Sequence, residues 1–410
     1  MSGILKNRSF LFVLTSHFIH KMAEQLYDLA IPLLILNATG SSVLMGFMYA
    51  LGFVAEFLVG FFGGSIVDMM DRKKLLMIIS ALQALFISLL PISASLDVFD
   101  VASVFLVAFV LDLCIALYRV ADTSIIPQLV EKRDLPRANG IMQMAISTAE
   151  ATGPAVSGLI ITALGLFASL WINVGAFLLL LSTLSLIRHY KPARETDLSS
   201  PGAIWSASKE GLRYTLSNNL FRSILVWNLF VNFGLSGAVL ILLYHLKEVM
   251  NLQTSQIGII MTMAAVGGLL SGLMFSRVQA AFRSGRILFV SSLVVSVSLL
   301  SIPFQEHWLF VGISVCFLMF CVGLNSRLIH LLFQTCVPEH MLGRVISASR
   351  LVSTLLAPLS VVLAGWVAEH WHPAHVFVGG AMIIVSATLA SLMTNMPAAD
   401  WSVREESRQA

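Results

Sequence analysis

Charge is scarce in this 410-residue sequence. Asp, Glu, Lys and Arg make up 11% of it, less than half the roughly 25% of a soluble globular chain. That scarcity, with 57% hydrophobic residues and a mean hydropathy of +0.87, excludes a soluble enzyme, a nucleic-acid binder and a disordered chain. Cysteine is also rare. Cys114, Cys316, Cys321 and Cys336 fall in or beside apolar runs with no CxxC spacing; they read as small buried hydrophobes, not as a disulfide frame or a zinc site. Gly and Pro are neither periodic nor dense, which removes collagen-like and low-complexity readings. No GxxxxGK[ST] loop and no HExxH are present, so ATP-driven pumping by this chain alone and zincin chemistry have no support. No cofactor, no metal and no enzymatic activity are expected. A cleavable signal peptide is not evident either. The first apolar run follows Lys6 and Arg8, contains charges and lacks a small-residue cleavage pattern, so it reads as a retained span.

What the sequence has in abundance is long apolar runs. A crossing helix needs about 20 such residues, and 410 residues at about 34 per span and loop predict twelve spans. The runs are 9–36, 43–66, 74–95, 101–124, 139–163, 167–188, 219–246, 254–276, 285–305, 307–331, 344–368 and 375–395. They do not alternate with period two, which disfavours a barrel, and a span in lipid must satisfy its own backbone, so they are helices. The expected fold class is an all-α membrane protein.

Lys and Arg set the expected orientation. Of the 25, 21 sit in or beside the N-terminus, alternate loops and the C-terminal tail; Lys247 is an exception, and Lys21, Arg119 and Arg327 lie inside spans. This bias predicts both termini in the cytoplasm of a plasma or bacterial inner membrane, with an even number of spans. The longest polar interruption, 189–218, begins with charges, Ser and Pro and reads as a linker. Its second part, Ile204 to Leu216, has the pattern of an interfacial helix with Trp205, Leu212 and Leu216 toward lipid. The expected organisation is therefore a six-helix bundle over 1–188, a linker over 189–218, a second six-helix bundle over 219–396 and a polar, disordered tail over 397–410. The halves look repeated: Gly64 precedes Asp68 after the second span, and Gly272 precedes Ser276 and Arg277 after the eighth. Repeated halves with a site near the bilayer midplane are the architecture of secondary transporters.

The segment GGSIVDMMDRKKLL between the second and third spans carries Gly64, Asp68, Arg72 and Lys73, and ATGPAVSG in the fifth carries Gly153, Pro154 and Gly158. With RANG and PEHMLGRVISA, these segments resemble the major facilitator superfamily, in the branch of drug and macrolide efflux proteins and the enterobactin exporter. The loop departs from that pattern at Met69, where Arg is usual, and at Asp71, where Gly is common. The resemblance implies alternating access between two six-helix bundles and export coupled to proton entry. It also implies an antiporter-type fifth helix and a functional embedded Arg at position 119. Physics supports the loop on its own terms. Gly64 permits close helix approach, and Asp68 at a helix end can pair with Arg72 or a helix N-terminus, as a latch that holds in one state and breaks in another. A plain surface ion pair is the simpler alternative.

A charge at the bilayer centre costs at least about 2.5 kcal/mol, so each embedded one needs a partner, a cavity or a role. The first span has His17, Lys21, Glu24 and Asp28 on one helical face, with His20 beside it, a stripe roughly 16 Å long. Lys21 and Glu24 can pair at i, i+3. Further spans add Glu56, Asp112, Arg119, Asp122 and Glu150, so the clearly embedded carboxylates all lie in the first half. The second half offers Asn228, Asn232, His245, Asn325, Arg327, His330 and Gln334. The expected division of labour is that first-half carboxylates take protons and cationic or donor groups, while second-half residues take acceptor or anionic groups. In that scheme, movement of Arg119 relative to Asp112 or Glu150 gates protonation. A static internal salt-bridge set and helix-packing hydrogen bonds are the plainer readings.

Three short signals carry little. HWHPAH (His370, His372, His375) reads as a membrane-interface tract before a metal site. GLSG at Gly234–Gly237 matches a short protease motif that twelve spans contain easily. Asn37–Thr39 sits too near the membrane to serve as a glycosylation acceptor. The function expected is proton-coupled efflux of an amphipathic small molecule, such as a drug, a macrolide-like compound or a siderophore, by a monomer that binds no nucleic acid. A lysophospholipid transporter, an importer of the same fold, and a non-transporting membrane sensor or scaffold are the alternatives.

Overall fold

The computed structural model describes residues 8–125, 130, 134–186, 209–210, 212–338, 341–394 and 396–400. All regular structure among them is helical. The first six helices are α1 (Arg8–Thr39), α2 (Ser42–Met69), α3 (Arg72–Ser95), α4 (Val101–Ile125), α5 (Leu135–Leu164) and α6 (Leu166–Ser185). After a short helical stretch at 212–217 come α7 (Asn219–Tyr244), which runs on as a π-turn over His245–Val249, α8 (Thr254–Ala281), α9 (Ser284–Ser301) and α10 (Trp308–Cys336). The eleventh span is broken into α11 (Leu342–Thr354) and α12 (Ala357–His370), and α13 (Pro373–Ala390) closes the set.

The helix ends follow from local chemistry. Ser41, Asp71 and Asn218 cap α2, α3 and α7 by accepting backbone N–H groups of the first turn, at 3.2, 3.0 and 2.9 Å respectively. Asp71, which departs from the family loop pattern, thus has a local role that the motif did not announce. Gly165, with φ +84°, ends α5 and starts α6 in a backbone region that other residues rarely adopt. Eleven of the helical segments are long and apolar enough to cross a membrane. The remaining one, α1, is 32 residues long, about 48 Å at 1.5 Å per residue. Its polar stripe keeps it below the apolarity of the others, and with it the number of crossing segments reaches the expected twelve.

The chain divides into two compact units: Met1–Ser199 with Gln253–Thr262, and Ser200–Leu252 with Met263–Ala410. In the first, α1 packs on α5 and α6, and α3 packs on α4 and α6. In the second, α7 packs on α11, α12 and α13, and α9 packs on α10 and α13. These pairings match in order, so the repeat read from the sequence is also a repeat of packing. Helices in lipid gain little from hydrophobic association and approach through small residues. Gly234 and Gly237 of the GLSG segment do this: a Cβ at Gly234 would lie 2.7 Å from Gly380 O, and one at Gly237 2.7 Å from Ala364 Cβ. That motif is a packing stripe.

Some expectations fall on residues outside those described: most of the linker with Trp205, the tail beyond residue 400, and the side chains of Gly64 and Asp68. Within the described part, two points differ from the sequence reading. Residues 396–400 do not start a loose tail. Met396 is fully buried, Gly285 N–H donates to Ala399 O at 3.0 Å, and Ser284 Oγ lies 3.3 Å from Asp400 Oδ1. The four cysteines are all free, but only Cys114 and Cys321 are buried; Cys336 is exposed at the end of α10.

Candidate functional site

The polar stripe of α1 is the centre of an ionic network in the first unit. Glu24 is 3% exposed and is held by two cations. Lys21 Nζ lies 3.1 Å from its Oε2, one helical turn back, and Arg119 of α4 donates to its Oε1 at 2.7 Å. Each cation reaches a second carboxylate. Arg119 bonds Glu56 Oε1 of α2 at 3.0 Å, and Lys21 lies 3.4 Å from Glu150 Oε1 of α5. Four helices thus meet on a chain of alternating charges. Burial of charge is tolerable there because every member has an opposite partner. The network has a buried core at Glu24 and an open edge, since the side chains of Arg119, Glu56 and Glu150 are 50%, 42% and 44% exposed.

Arg119 therefore pairs with Glu24 and Glu56, whereas the expected gating scheme set it against Asp112 and Glu150. Asp112 shares the α4 face but turns to α1 and α2: Tyr27 Oη donates to its Oδ1 at 2.8 Å, and a Cβ at Gly52 would lie 3.1 Å from its Oδ2. Asp28, one turn above Glu24, is exposed and has no hydrogen-bond or ion-pair partner among the described residues. His17 Nδ1 approaches Asp122 Oδ2 at 2.6 Å, a close polar contact outside hydrogen-bond alignment.

His20 departs from the expected chamber. It is 3% exposed, stacked on Tyr118 at 3.6 Å between centroids, with Nε2 3.2 Å from Gln83 Nε2. Its position beside the stripe, not on it, turns the ring into the packing of α1 against α3 and α4.

The loop and fifth-helix motifs are placed as follows. Gly64 and Asp68 lie in the last turns of α2, and Arg72 opens α3. Lys73 Nζ donates to Ser185 O at 3.2 Å, which places a cation on the carbonyl end of α6. Gly153 permits α1 to pass close to α5: a Cβ there would lie 2.5 Å from Gln25 Cγ. Gly158 does the same for the start of α8, 2.6 Å from Thr254 O. Pro154 interrupts the backbone ladder of α5, and the next N–H, Ala155, donates to Thr262 Oγ1 at 3.0 Å.

The second unit holds a cavity of about 790 Å³ lined by α7, α8, α10 and α11. Asn232, Arg327 and His330, predicted from sequence, all line it, with Asn228 and Gln334. Asn232 donates to Asn228 O at 2.8 Å, and Asn228 donates to Ser353 Oγ at 2.9 Å. Arg327 Nη1 donates to Ser271 Oγ at 2.6 Å and to Gly323 O at 3.0 Å. His245, by contrast, is buried at the π-turn against Phe377, ring centroids 5.4 Å apart.

Sequence reasoning missed several participants. Arg350 lines the cavity from α11; it was not singled out, being one of the 21 cations read as in or beside the termini and alternate loops. Ser349, also in the lining, is buried with no partner for its Oγ among the described residues. Tyr27 and Gln83 were legible as lone polar groups in apolar runs, but their partners lie 85 and 63 residues away in the chain.

Residues 13–361 match the family described as the Major Facilitator Superfamily. Among curated proteins, the chain is 23% identical over 347 residues to the multidrug efflux pump Tap of Mycolicibacterium fortuitum, covering 83% of this chain and 84% of the relative. It is 24% identical over 380 residues to macrolide efflux protein A of Streptococcus pyogenes, covering 91% and 93%. Among solved structures, a mutant of the nucleoside transporter NupG superposes with a TM-score of 0.77 at 12% identity, over 94% of this chain and 99% of that one, a likeness of fold. With eleven apolar membrane-length helices and a match over most of its length, the chain belongs to the Major Facilitator Superfamily and is a multi-pass membrane transporter, not an enzyme.

Proposed function

We propose that this transporter exports an amphipathic small molecule in exchange for protons, by alternating access between its two halves, from a plasma or bacterial inner membrane with both termini in the cytoplasm. The observation that carries the reading is the first-unit network in which Lys21 and Arg119 join Glu24, Glu56 and Glu150. Such a chain offers each cation more than one carboxylate. Protonation of one carboxylate frees its cation to favour another, which is how proton binding can bias a two-state element. Asp28, exposed beside the network, is the group best placed to take a proton from water. Asp68 and Arg72 serve as the latch at the loop, and Gly153, Pro154 and Gly158 let α5 change its packing. The names of the efflux relatives support the direction and the substrate class.

The test is transport of fluorescent amphiphiles into inside-out membrane vesicles. A protonophore is expected to abolish accumulation, and Glu24→Gln, Asp28→Asn, Asp112→Asn and Glu150→Gln are each to be measured. If all four leave proton-driven accumulation at the wild-type rate, the coupling assignment fails.

A further inference from the structure

In the second-unit cavity Arg327 contacts no carboxylate among the described residues. The lining also holds Arg350 and His330, and no Asp or Glu among the described residues. Arg327 bonds the neutral groups Ser271 Oγ and Gly323 O. Its seat is built for it: a Cβ at Gly272 would lie 2.9 Å from Nη2, and one at Gly323 3.0 Å from Nη1. A guanidinium inside a membrane span with no carboxylate beside it among the described residues is costly, and an incoming anion offsets that cost. His330 and Gln334 are exposed in the lining, and Ser349 Oγ is buried there without a partner. Around them stand Phe221, Phe275 and Phe333, with Trp227 behind.

We propose that this cavity binds the anionic group of an amphipathic substrate, with Arg327 as its counter-charge, His330 and Gln334 as hydrogen-bond partners and the phenylalanines against the apolar body. This rests on the reading that the chain moves amphipathic molecules, and it narrows them to anions, in contrast to the cationic class. The same chemistry is offered by a free amphipathic carboxylate and by a lipid phosphate.

The experiment uses the full-length protein in phosphatidylcholine nanodiscs with 11-(dansylamino)undecanoic acid and the trimethylammonium analogue of the same chain length. Binding is read by energy transfer from tryptophan. The acid is expected to bind at least about tenfold more tightly than the ammonium compound, as a charge-assisted hydrogen-bonded contact requires. Arg327→Gln is expected to remove that preference, and Arg327→Lys to keep most of it. Should Arg327→Gln not fold, His330→Ala and Gln334→Ala, at exposed positions, are each expected to weaken the acid about threefold or more. Competition by dodecanoate or by dihexanoyl phosphatidic acid assigns the source of the anion. Equal or tighter binding of the ammonium compound, an acid affinity unmoved by all three variants, or displacement by neither competitor overturns the proposal. Acid binding through Arg327 with no proton-driven transport removes the coupling assignment and leaves this site; proton-driven transport without acid binding does the reverse.

Discussion

The two halves share a packing plan and treat embedded cations in opposite ways. In the first unit, Lys21 and Arg119 each contact two carboxylates. In the second, Arg327 contacts a hydroxyl and a backbone carbonyl. A cation surrounded by carboxylates has its counter-charge already and can exchange it for a proton-dependent arrangement. A cation held by neutral acceptors keeps its charge on offer. Duplicated architecture thus carries an internally compensated charge set on one side and, in the proposal above, a receptor for an external group on the other.

That contrast can be broken by removing each arginine in turn. Arg119→Gln removes charge-assisted hydrogen bonds to Glu24 and Glu56 while Lys21 still pairs with Glu24, and is expected to cost about 2–3 kcal/mol of unfolding free energy. Arg327→Gln removes a charge that has no opposite partner, and is expected to change the unliganded protein by about 1 kcal/mol in either direction. Denaturation in detergent measures both; equal losses would erase the distinction. A double-mutant cycle with Arg119→Gln and Glu24→Gln sharpens it by isolating the coupling between the two side chains.

Smaller effects follow. Tyr27→Phe takes a hydrogen bond from the Asp112 carboxylate, and is expected to cost about 1.5–3 kcal/mol, with transport altered in its pH profile. Gly267→Ala drives a Cβ into Cys316 O, backbone that cannot step aside, and is expected to cost about 1–3 kcal/mol. Its neighbour Gly268 has nothing within 4 Å, so Gly268→Ala serves as the neutral control. Lys73→Ala loses the charge on the carbonyl end of α6, worth about 0.3–1 kcal/mol, the smallest of the series.

How far the sequence could be read depended on the range of the interaction. The α1 stripe was legible because His17, Lys21, Glu24 and Asp28 repeat at helical spacing, and the Lys21–Glu24 pair is one turn long. The crossing segments were legible because length and apolarity suffice. Partners across helices were not. Nothing in the spacing names Glu56 as a partner of Arg119, yet α2 and α1 bring Glu56 and Glu24 to it. His20, beside the stripe, was grouped with the chamber residues and is instead a buried ring on Tyr118. Arg350 was one unnamed cation among those in or beside the loops, and α11 carries it into the cavity wall. The break of the eleventh span at 355–356 is marked in the sequence by Pro358, but an apolar run conceals where the helix restarts.

The central claim, that the first-unit network couples protons to substrate, is tested most directly by proton flux. Proteoliposomes containing a pH-sensitive dye report internal pH when an amphipathic substrate is added outside. The account predicts a substrate-triggered pH change in the wild type that is lost in Asp28→Asn or Glu150→Gln while Arg327-dependent binding persists. An unchanged flux in both variants, at wild-type rate, would contradict it.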